Sequence, residues 1–477
     1  MPPEKLNLDE LKDNLVDKGL PQIPIKDNEV DVLCSPENFR NMLIEKIRNA
    51  KNRIYISALY IEDDVAGKEI LESIRERKKE KSNLEINIIV DFHRNQRGRI
   101  GEPERNPRRL FNEINNELSD GNKINFIGIP IAQKERNGVL HTKGIVIDDC
   151  VLYSGASINN VYLQKQSNEN PNNNYRLDRY WIFKNKNLAN SFIEYFNEAF
   201  INNEARRNLD SDENVIKDKE LKNQIEKARK KLRKLQFTTQ DCIESEEEDM
   251  YAVPISGFGK RSILNKTIVD LINAAEKNIT IFTPYFNISK EIRNAISNAL
   301  KRNVEITINI GDKTTNDFYR SPEKIEEDKK KELSKRDRRT LSVFDKLPYL
   351  YEQNLKKFAL QFKYQIESTL LNINIWKDGD GNTYHAKGID IDDGKAILIT
   401  GHNINVRAEE KDIENGILIV NTTKETRNKL SNEKIYITTK TKRLGSCEEL
   451  ESIKDYPSEI QKWFNTVWAG AKIKGLI

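Results

Sequence analysis

Cysteine is scarce in this sequence, and its placement excludes several kinds of site. The four cysteines, Cys34, Cys150, Cys242 and Cys447, include no CxxC pair. This spacing argues against a disulfide framework and a cysteine-based zinc site, and it indicates a reducing compartment such as the cytosol. Long apolar runs are also absent, since none approaches the ~20 residues that a membrane-spanning helix needs. The N-terminal residues are polar and acidic, which argues against a signal peptide.

A strong excess of one charge is missing as well. The chain has 79 Lys plus Arg against 75 Asp plus Glu, a net charge of +4. A protein that binds nucleic acid without sequence preference usually carries a larger, clustered basic excess. We therefore expect no nucleic-acid partner, and a nuclease is disfavoured.

Histidine is equally rare, but its placement repeats. Two of the four histidines stand in the frame His-x-Lys-x-x-x-x-Asp, once as His141, Lys143 and Asp148 and once as His385, Lys387 and Asp392. Both copies continue as Gly-Ile-x-Ile-Asp-Asp. Two imidazoles and two ammonium groups can break a phosphodiester or pyrophosphate bond without a metal: one His attacks phosphorus, the other handles the proton, and the lysines hold the oxygens. We predict no metal and no other cofactor.

The repeat extends beyond these residues and predicts the fold. Segment 49–61 resembles 273–286, and segment 84–91 resembles 304–312. Each half therefore shows a helix, a strand, a second helix, a second strand and then the His-Lys strand. Strands that alternate with helices predict an α/β fold with mixed β-sheets and flanking helices. We expect two α/β/α halves related by pseudo-two-fold symmetry, with the two motifs facing each other.

Charge-rich segments suggest the boundaries of these halves. We predict an N-terminal extension over 1–30, a first half over 31–202, a charged helical linker over 203–250, and a second half over 251–477. The second half includes a charged insertion over 321–341 and a C-terminal helix. Segment 459–477 combines Trp, Phe and Lys, so it either contacts a membrane surface or docks on the protein's own core.

The spacing within the motif separates the roles of its members. Residues i and i+2 of a strand share a face, so each His and its Lys project together. Asp148 lies at an odd offset before a hairpin, so a role in the turn is at least as plausible for it and for Asp392 as orienting a His. A nucleophilic His still needs an acceptor behind its other nitrogen. Candidates are Asp178 and Glu414, since each begins a β-rich run after a motif hairpin.

Longer segments narrow the assignment to a family. The paired motifs resemble the phospholipase D superfamily. The segments VLHTKGIVIDDCVLYSGASINNVYL, YRLDRYW, VDFHRNQRGRIG, GDKTTNDFY, LPYLYEQNL and WKDGDGNTYHAKG together resemble bacterial phosphatidylserine synthases of the phospholipase D-like type. The resemblance runs from about Asp31 to the C-terminus. It implies CDP-diacylglycerol–serine O-phosphatidyltransferase activity, which forms phosphatidylserine and CMP from CDP-diacylglycerol and L-serine.

The resemblance also implies roles for single residues. His141 and His385 match the catalytic histidines, with His141 as nucleophile by family tendency and His385 as general base. Lys143 and Lys387 match the phosphate-holding lysines, and Glu414 matches the acid that orients a His, with Asp178 as its shorter counterpart. The polar residues after the two motifs, which would bind substrate, are Ser157, Asn159, Asn403 and Asn405. Independently, Arg94, Arg97 and Arg99 could hold the CDP phosphates, or they could form a solvated basic loop.

Other functions remain open at this point. A cardiolipin synthase or a phospholipase D could use the same motifs, and a membrane scaffold with a dead site is a third alternative. Because the expected substrate is a lipid and no span is predicted, we expect peripheral contact of a cytoplasmic protein with the anionic inner face of the cell membrane. The sequence does not indicate the oligomeric state or the serine-binding residues.

Overall fold

The computed structural model describes residues 7–96, 106–210, 218–239, 250–321 and 343–467. Within these residues the strands are β1 (Ile23–Pro24), β2 (Val30–Leu33), β3 (Arg53–Ala58), β4 (Glu85–Asp91), β5 (Asn125–Ile129), β6 (Gly144–Ile147), β7 (Cys150–Ser154), β8 (Arg176–Leu177), β9 (Tyr180–Phe183), β10 (Arg207–Asn208), β11 (Tyr251–Phe258), β12 (Asn278–Thr283), β13 (Glu305–Gly311), β14 (Leu371–Trp376), β15 (Thr383–Tyr384), β16 (Gly388–Ile391), β17 (Ala396–Thr400), β18 (Ile413–Val420) and β19 (Thr441–Arg443).

The strands form two large mixed sheets with the same internal order. The first sheet runs β10-β5-β4-β3-β6-β7-β9-β2, and the second runs β19-β14-β13-β12-β16-β17-β18-β11-β1. In each sheet three neighbouring strands are parallel, β3 to β5 in one and β12 to β14 in the other. The hairpin that follows each His-Lys pair then joins antiparallel, as β6–β7 and as β16–β17. His141 and Lys143 lie just before β6, and His385 and Lys387 lie just before β16, so they are extensions of the strands that were predicted to contain them. The sequence repeat is therefore a structural repeat, as predicted.

Helices cover the sheets. The α-helices are Leu8–Val16, Pro36–Arg48, Val65–Glu80, Phe92–Gln96, Pro107–Asn116, Lys186–Phe196, Asp218–Leu232, Ile263–Ala274, Lys290–Lys301, Val343–Gln361, Lys363–Glu367, Val406–Glu410, Lys424–Thr438 and Ser458–Val467. Short 3-10 turns lie at Asp27–Glu29, Glu135–Asn137, Lys313–Thr315, Asp392–Gly394, Cys447–Glu449 and Ile453–Asp455, and a π-helical turn lies at Asn197–Ile201.

The alternation of side chains along the strands separates the core into layers. In β3, Ile54 and Ile56 pack with the outer helices of the first half, whereas Tyr55 points into a central cluster. The central cluster joins both halves, because it contains Trp181 of the first sheet and Ile417 of the second. Burial on both faces explains why these strands are almost continuously apolar. The fold is thus the expected α/β arrangement of two sheets with flanking helices.

Segments at the predicted domain boundaries also contact the sheets. Leu11 and Leu15 lie in the core of the second half, and β1 pairs with β11 of the second sheet. In the predicted linker, β10 pairs with β5, and helix Asp218–Leu232 buries Ile225 beside Ala205. Nearly all of the charged insertion 321–341 lies outside the described residues. The division into domains stays a prediction.

Candidate active site

His141 directly follows Leu140, which pairs with Ile413 of the second half. Its Nδ1 atom lies 2.9 Å from Oε2 of Glu414, in the opposite half. Burial first, and then the positive charges of Lys143 and Lys387, lower the pKa of His141 well below its usual range. The imidazole is therefore neutral at physiological pH. No hydrogen bond is made to its Nε2 by any residue that the structure describes, and this nitrogen carries a lone pair in the tautomer whose Nδ1–H donates to Glu414.

His385 has the reciprocal arrangement. Its Nδ1 atom lies 3.0 Å from Oδ2 of Asp178, which belongs to the first half. Burial and the charge of Lys387 lower the pKa of His385 to about 4, although Asp178 acts in the opposite direction. Burial alone would raise the pKa of Asp178, but Lys387 and His385 lower it overall, so this carboxylate is ionised.

Backbone pairing across the halves brings each acid to the other half's histidine. Leu140 pairs in parallel with Ile413, one residue before His141 and Glu414 respectively. In the same way Tyr384 of β15 pairs in parallel with Leu177 of β8, one residue before His385 and Asp178. Parallel neighbours in register project from the same side, so each imidazole meets a carboxylate. The sequence indicated the two acids but not that they cross over.

The two lysines also reach across. A Cβ atom on Gly155 would lie 2.7 Å from Nζ of Lys387, and one on Gly401 would lie 2.8 Å from Cγ of Lys143. Only glycine leaves room for these side chains, which accounts for the glycine that follows each motif hairpin. The ammonium group of Lys387 therefore lies beside the turn of the first half, and the aliphatic part of Lys143 lies beside the turn of the second half.

The lysines differ in their partners. Nζ of Lys387 lies 2.8 Å from Asp178 and also contacts Nδ1 of His385. Among the described residues, Nζ of Lys143 makes its hydrogen bond to Ser157 Oγ at 3.3 Å. Burial and the charge of Lys387 lower the pKa of Lys143 to about 7. The Lys143 ammonium is thus a buried cation without a carboxylate in direct contact, which suits it to meet an anionic ligand.

Asp148 and Asp392 lie away from the imidazoles. The Asp148 carboxylate accepts hydrogen bonds from the backbone N–H groups of Lys51 (2.8 Å), Asn52 (2.7 Å) and Arg53 (3.2 Å). Asp392 accepts from residues 276 to 278 in the same way. Each Asp anchors the start of the neighbouring parallel strand at the hairpin turn. These contacts match turn and strand-end stabilisation, the role that the odd offset made at least as plausible as a direct role at the histidine.

The polar residues after the first motif lie at the edge of the site. Ser157 accepts from Lys143, as described above. Asn159 donates to Glu62 Oε2 at 3.2 Å and to Tyr60 Oη at 3.5 Å. Arg94 belongs to the same cluster, because its guanidinium lies 4.6 Å above the Tyr60 ring and 3.7 Å from Glu62. Arg97 and Arg99 lie outside the described residues.

The two asparagines after the second motif differ from each other. Asn405 caps helix Val406–Glu410, since its side chain accepts from Ala408 N at 2.9 Å. Asn directly before a helix is a common N-cap. The backbone oxygen of Asn403 accepts from Thr283, and its side-chain oxygen is buried without a hydrogen-bond partner among the described residues. Their predicted roles in substrate binding stay predictions.

A group of residues that the sequence did not single out surrounds His385. Tyr162 Oη lies 3.1 Å from Nδ1 and 3.2 Å from Nε2 of His385. The Tyr285 ring lies edge-on to the imidazole, with centroids 5.9 Å apart, and its hydroxyl donates to Asp317. Arg176 Nη1 lies 3.5 Å from Asp317 Oδ2. No spacing argument marks these residues, because the fold assembles them from distant loops.

The two remaining histidines, His93 and His402, contact backbone atoms. His93 Nε2 lies 2.6 Å from the Ala132 carbonyl oxygen, and His402 Nδ1 accepts from Ile404 N at 2.9 Å. Burial lowers the pKa of His402 to about 3. Within the described part of the chain, no group of three or more His, Cys, Asp or Glu side chains is arranged to hold a metal ion.

Comparison with known proteins defines the class. Residues 43–200 and 268–433 match the family model described as "Cardiolipin synthase, PLD-like domain". The two matched segments correspond to the two repeated halves, each with one His-Lys hairpin. The fold and the site are therefore those of a phospholipase D-like enzyme.

Closer relatives narrow the class to one activity. The chain is 38% identical to the CDP-diacylglycerol–serine O-phosphatidyltransferase of Escherichia coli, over 93% of this chain and 92% of that protein. It is 37% identical to the enzyme of the same name from Haemophilus influenzae, over 93% of each. The crystal structure of phosphatidylserine synthase from H. influenzae superposes with a TM-score of 0.87, at 35% identity, over 98% of this chain and 99% of that one. The chain belongs to the CDP-diacylglycerol–serine O-phosphatidyltransferase family.

Proposed function

We propose that this protein makes phosphatidylserine and CMP from CDP-diacylglycerol and L-serine through a phosphatidyl-histidine intermediate. The observation that supports the proposal is a pair of contacts between the halves. The Glu414 carboxylate lies 2.9 Å from Nδ1 of His141, and the Asp178 carboxylate lies 3.0 Å from Nδ1 of His385. Together these contacts supply two oriented imidazoles from two halves of one chain. The identity to serine phosphatidyltransferases over nearly the whole chain supports the choice of substrates.

In the first step, Nε2 of His141 attacks the phosphorus that bears diacylglycerol. The new P–N bond forms as the P–O bond to CMP breaks, and CMP leaves as a phosphate with little need of a proton. The imidazole becomes cationic. Burial and the charge of Asp412 raise the pKa of Glu414 well above its usual range, and the imidazolium charge that develops at Nδ1 favours the ionised carboxylate, which then stabilises that charge. The Lys143 and Lys387 ammonium groups offset the charge that builds on the phosphoryl oxygens.

In the second step, the serine hydroxyl attacks the same phosphorus. His385 removes the hydroxyl proton, the P–O bond to serine forms, and the P–N bond to His141 breaks. With its pKa lowered to about 4, His385 is neutral and ready to accept this proton at physiological pH. Asp178 then balances the imidazolium.

The surroundings of the two histidines support this division of roles. The Nε2 atom of His141 is uncontacted by the described residues, as a nucleophile requires. His385 instead has Tyr162 Oη 3.1 Å from Nδ1 and 3.2 Å from Nε2, so a hydroxyl lies beside this imidazole. An imidazole beside a hydroxyl is arranged for proton transfer, so we assign attack to His141 and proton transfer to His385.

We further propose that the protein meets an anionic membrane surface on the side that carries Phe344. This side chain is 57% exposed. It stacks on Phe318 at 5.7 Å, Phe318 lies 6.1 Å from Tyr285, and Tyr285 lies 5.9 Å from His385. An exposed ring at the end of an aromatic path to the site suits a lipid substrate that enters from the interface. No helix in the described residues is long and apolar enough to cross a membrane.

The C-terminal helix Ser458–Val467 lies next to this surface. Ile460 and Phe464 are buried in a cluster with Tyr349 and Tyr456, which matches the alternative that the segment docks on the protein's own core. Trp463 remains partly exposed, with Lys346 Nζ 5.8 Å from its ring. Aromatic and basic side chains together favour the headgroup region.

The activity is tested with purified protein and CDP-diacylglycerol in mixed micelles, with and without L-serine. We expect serine-dependent release of CMP and formation of phosphatidylserine, and loss of both in His141→Ala. Equal CMP release without serine, with phosphatidate as product, would identify a hydrolase. Transfer to glycerol or a glycerophosphate in preference to serine would identify another phosphatidyltransferase on this scaffold. No CMP release under any of these conditions would reject the enzyme.

A further inference from the structure

Arg176 places a positive charge close to the proposed base. Its Nε donates to Thr383 Oγ1 at 3.1 Å, two residues before His385, and its guanidinium lies 4.9 Å from the centre of the Tyr162 ring. The Tyr162 hydroxyl in turn lies 3.1 Å from His385 Nδ1. One aromatic ring therefore separates the guanidinium from the imidazole.

Asp317 places a negative charge on the same side. It accepts a hydrogen bond from Tyr285, whose ring is edge-on to His385. Burial by itself would raise the pKa of Asp317, but the charge of Arg176 and the hydrogen bond from Tyr285 act against burial, and the pKa is lowered overall. Next to the base there is thus one cation and one ionised carboxylate, separated by 3.5 Å.

This pair differs from the other arginine cluster that spans the two halves. Arg179 donates to Glu433 at 2.8 Å and is 1% exposed, with Asp390 also buried, so that cluster is closed to any ligand. The side chains of Arg176 and Asp317 are 14% and 20% exposed. Their separation is also longer than the roughly 2.7–2.9 Å of a tight charged hydrogen bond. The Arg176–Asp317 ion pair is therefore long and partly exposed, so a ligand can reach both side chains.

A free amino acid presents charges complementary to both residues. The α-carboxylate of serine matches the planar fork of a guanidinium, and its ammonium group matches a carboxylate. Asp317 would repel a phosphate, so the pair favours a zwitterion over the anionic CDP portion. We propose that Arg176 and Asp317 bind the carboxylate and the ammonium of the acceptor serine and direct its hydroxyl to His385. This assignment rests on the proposed function and names the acceptor site within it.

The test compares three acceptors: L-serine, ethanolamine, which lacks the carboxylate, and 3-hydroxypropionate, which lacks the ammonium. The variants are Arg176→Met, Arg176→Lys and the near-isosteric Asp317→Asn, with the exposed Arg109→Met as matched control. For each we measure KM and kcat for every acceptor, and the serine-independent exchange of labelled CMP into CDP-diacylglycerol.

We expect at least a tenfold rise in the KM for serine in Arg176→Met, with a smaller rise in Arg176→Lys. In Arg176→Met, the preference for serine over ethanolamine should fall at least tenfold. In Asp317→Asn, the preference for serine over 3-hydroxypropionate should fall by a similar factor. The ratio of serine transfer to CMP exchange should fall in both variants and stay constant in Arg109→Met.

Two results would overturn this site while leaving the proposed function intact. One is an unchanged acceptor preference and serine KM in both Arg176→Met and Asp317→Asn. The other is a parallel loss of exchange and transfer at unchanged acceptor preference, which is the behaviour of a purely structural pair. If instead the unaltered protein transfers no phosphatidyl group to serine, the proposed function fails and this site fails with it.

Discussion

Nδ1 of His141 lies 2.9 Å from the carboxylate of Glu414, a residue 273 positions further along the chain. The pair is buried, and it forms only when the two halves associate. Asp178 and His385 repeat the relationship in the opposite direction. Each imidazole thus contacts its carboxylate across the two halves, so the proposed mechanism requires the halves to associate.

Glu414→Gln should measure how much the contact between Glu414 and His141 contributes to catalysis. The amide preserves the shape but cannot balance the cationic phosphatidyl-imidazole, and it can favour the wrong tautomer of His141. We expect kcat for CMP exchange to fall by about 10⁴-fold, the loss seen when the orienting Asp of a Ser-His-Asp triad is replaced by Asn. Glu425→Gln, an exposed acid on helix Lys424–Thr438, is the matched control. Exchange within twofold of the unaltered protein in Glu414→Gln would contradict the assigned role.

Asp178→Asn should separate the two chemical steps. Asp178 contacts His385 and Lys387, and His385 acts mainly when serine attacks. We therefore expect serine transfer to fall by at least tenfold more than CMP exchange, in contrast to Glu414→Gln, in which both fall together. Rapid-quench measurement of the acid-labile lipid adduct should show accumulation on His141. An adduct on His385, located by peptide mass spectrometry, would reverse the assignment.

The pH dependence should follow two shifted groups. His385 has a pKa of about 4 and must be neutral to act as base, so kcat/KM for serine should rise as pH increases through about 4. Lys143 has a pKa of about 7 and must be charged to hold phosphate, so kcat/KM for CDP-diacylglycerol should fall as pH increases through about 7. Lys143→Arg retains its charge at high pH and should lose this basic limb, whatever its absolute activity. A basic limb that persists in Lys143→Arg would rule out Lys143 as its source.

Part of this site was predictable from the sequence. Spacing predicted that His141 and Lys143 project together, and the repeat predicted that β4 and β13 are equivalent strands. The crossing of Glu414 and Asp178 was not predictable, because it depends on the register between Leu140 and Ile413 and between Leu177 and Tyr384. Register across an interface of two halves is set by packing, and no spacing along one chain encodes it.

The same limit applies to the residues around His385. Asp317 precedes the charged insertion, and Arg176 follows an Asn-rich loop in the two-residue strand β8. Neither residue therefore lies in an element long enough to show a periodic pattern. Asp148 was different. Its odd offset predicted that it would not share the face of His141, and the structure places it on backbone N–H groups instead.

Asp148→Ala should reduce stability with little effect on the chemistry. The substitution removes the three hydrogen bonds that the Asp148 carboxylate accepts from backbone N–H groups at the start of β3. The position is exposed enough for water to replace part of them. We expect a loss of about 1–3 kcal/mol in the free energy of unfolding, measured by urea denaturation. Activity per folded molecule should remain within a few fold of the unaltered protein. A large loss of kcat at unchanged stability would instead show that Asp148 acts on His141.

Arg179→Met should have a larger effect on stability. The Arg179 guanidinium neutralises Glu433 and Asp390, and all three side chains are almost completely buried. Methionine fills similar space but leaves Glu433 without its ion pair and Asp390 with Lys434, 3.4 Å away, as its remaining cation. Breaking a buried ion pair in this way typically costs about 3–5 kcal/mol. We expect a lower urea midpoint, partly restored in the double variant Arg179→Met, Glu433→Gln. An unchanged midpoint in Arg179→Met would show that water reaches these acids.

Phe344→Asp should weaken binding to anionic vesicles if the aromatic path from Phe344 to His385 marks the membrane-facing side. Leu360→Asp is the matched control, because Leu360 lies on the same helix with 63% exposure and about 24 Å further along it. In co-sedimentation with vesicles that contain phosphatidylglycerol, we expect at least a fivefold loss of binding for Phe344→Asp and less than a twofold change for Leu360→Asp. Activity on CDP-diacylglycerol in vesicles should fall in parallel, whereas activity on a short-chain, water-soluble analogue should be retained, because the substitution leaves His385 and its neighbours in place. Equal binding by both variants would move the membrane contact to another surface of the molecule.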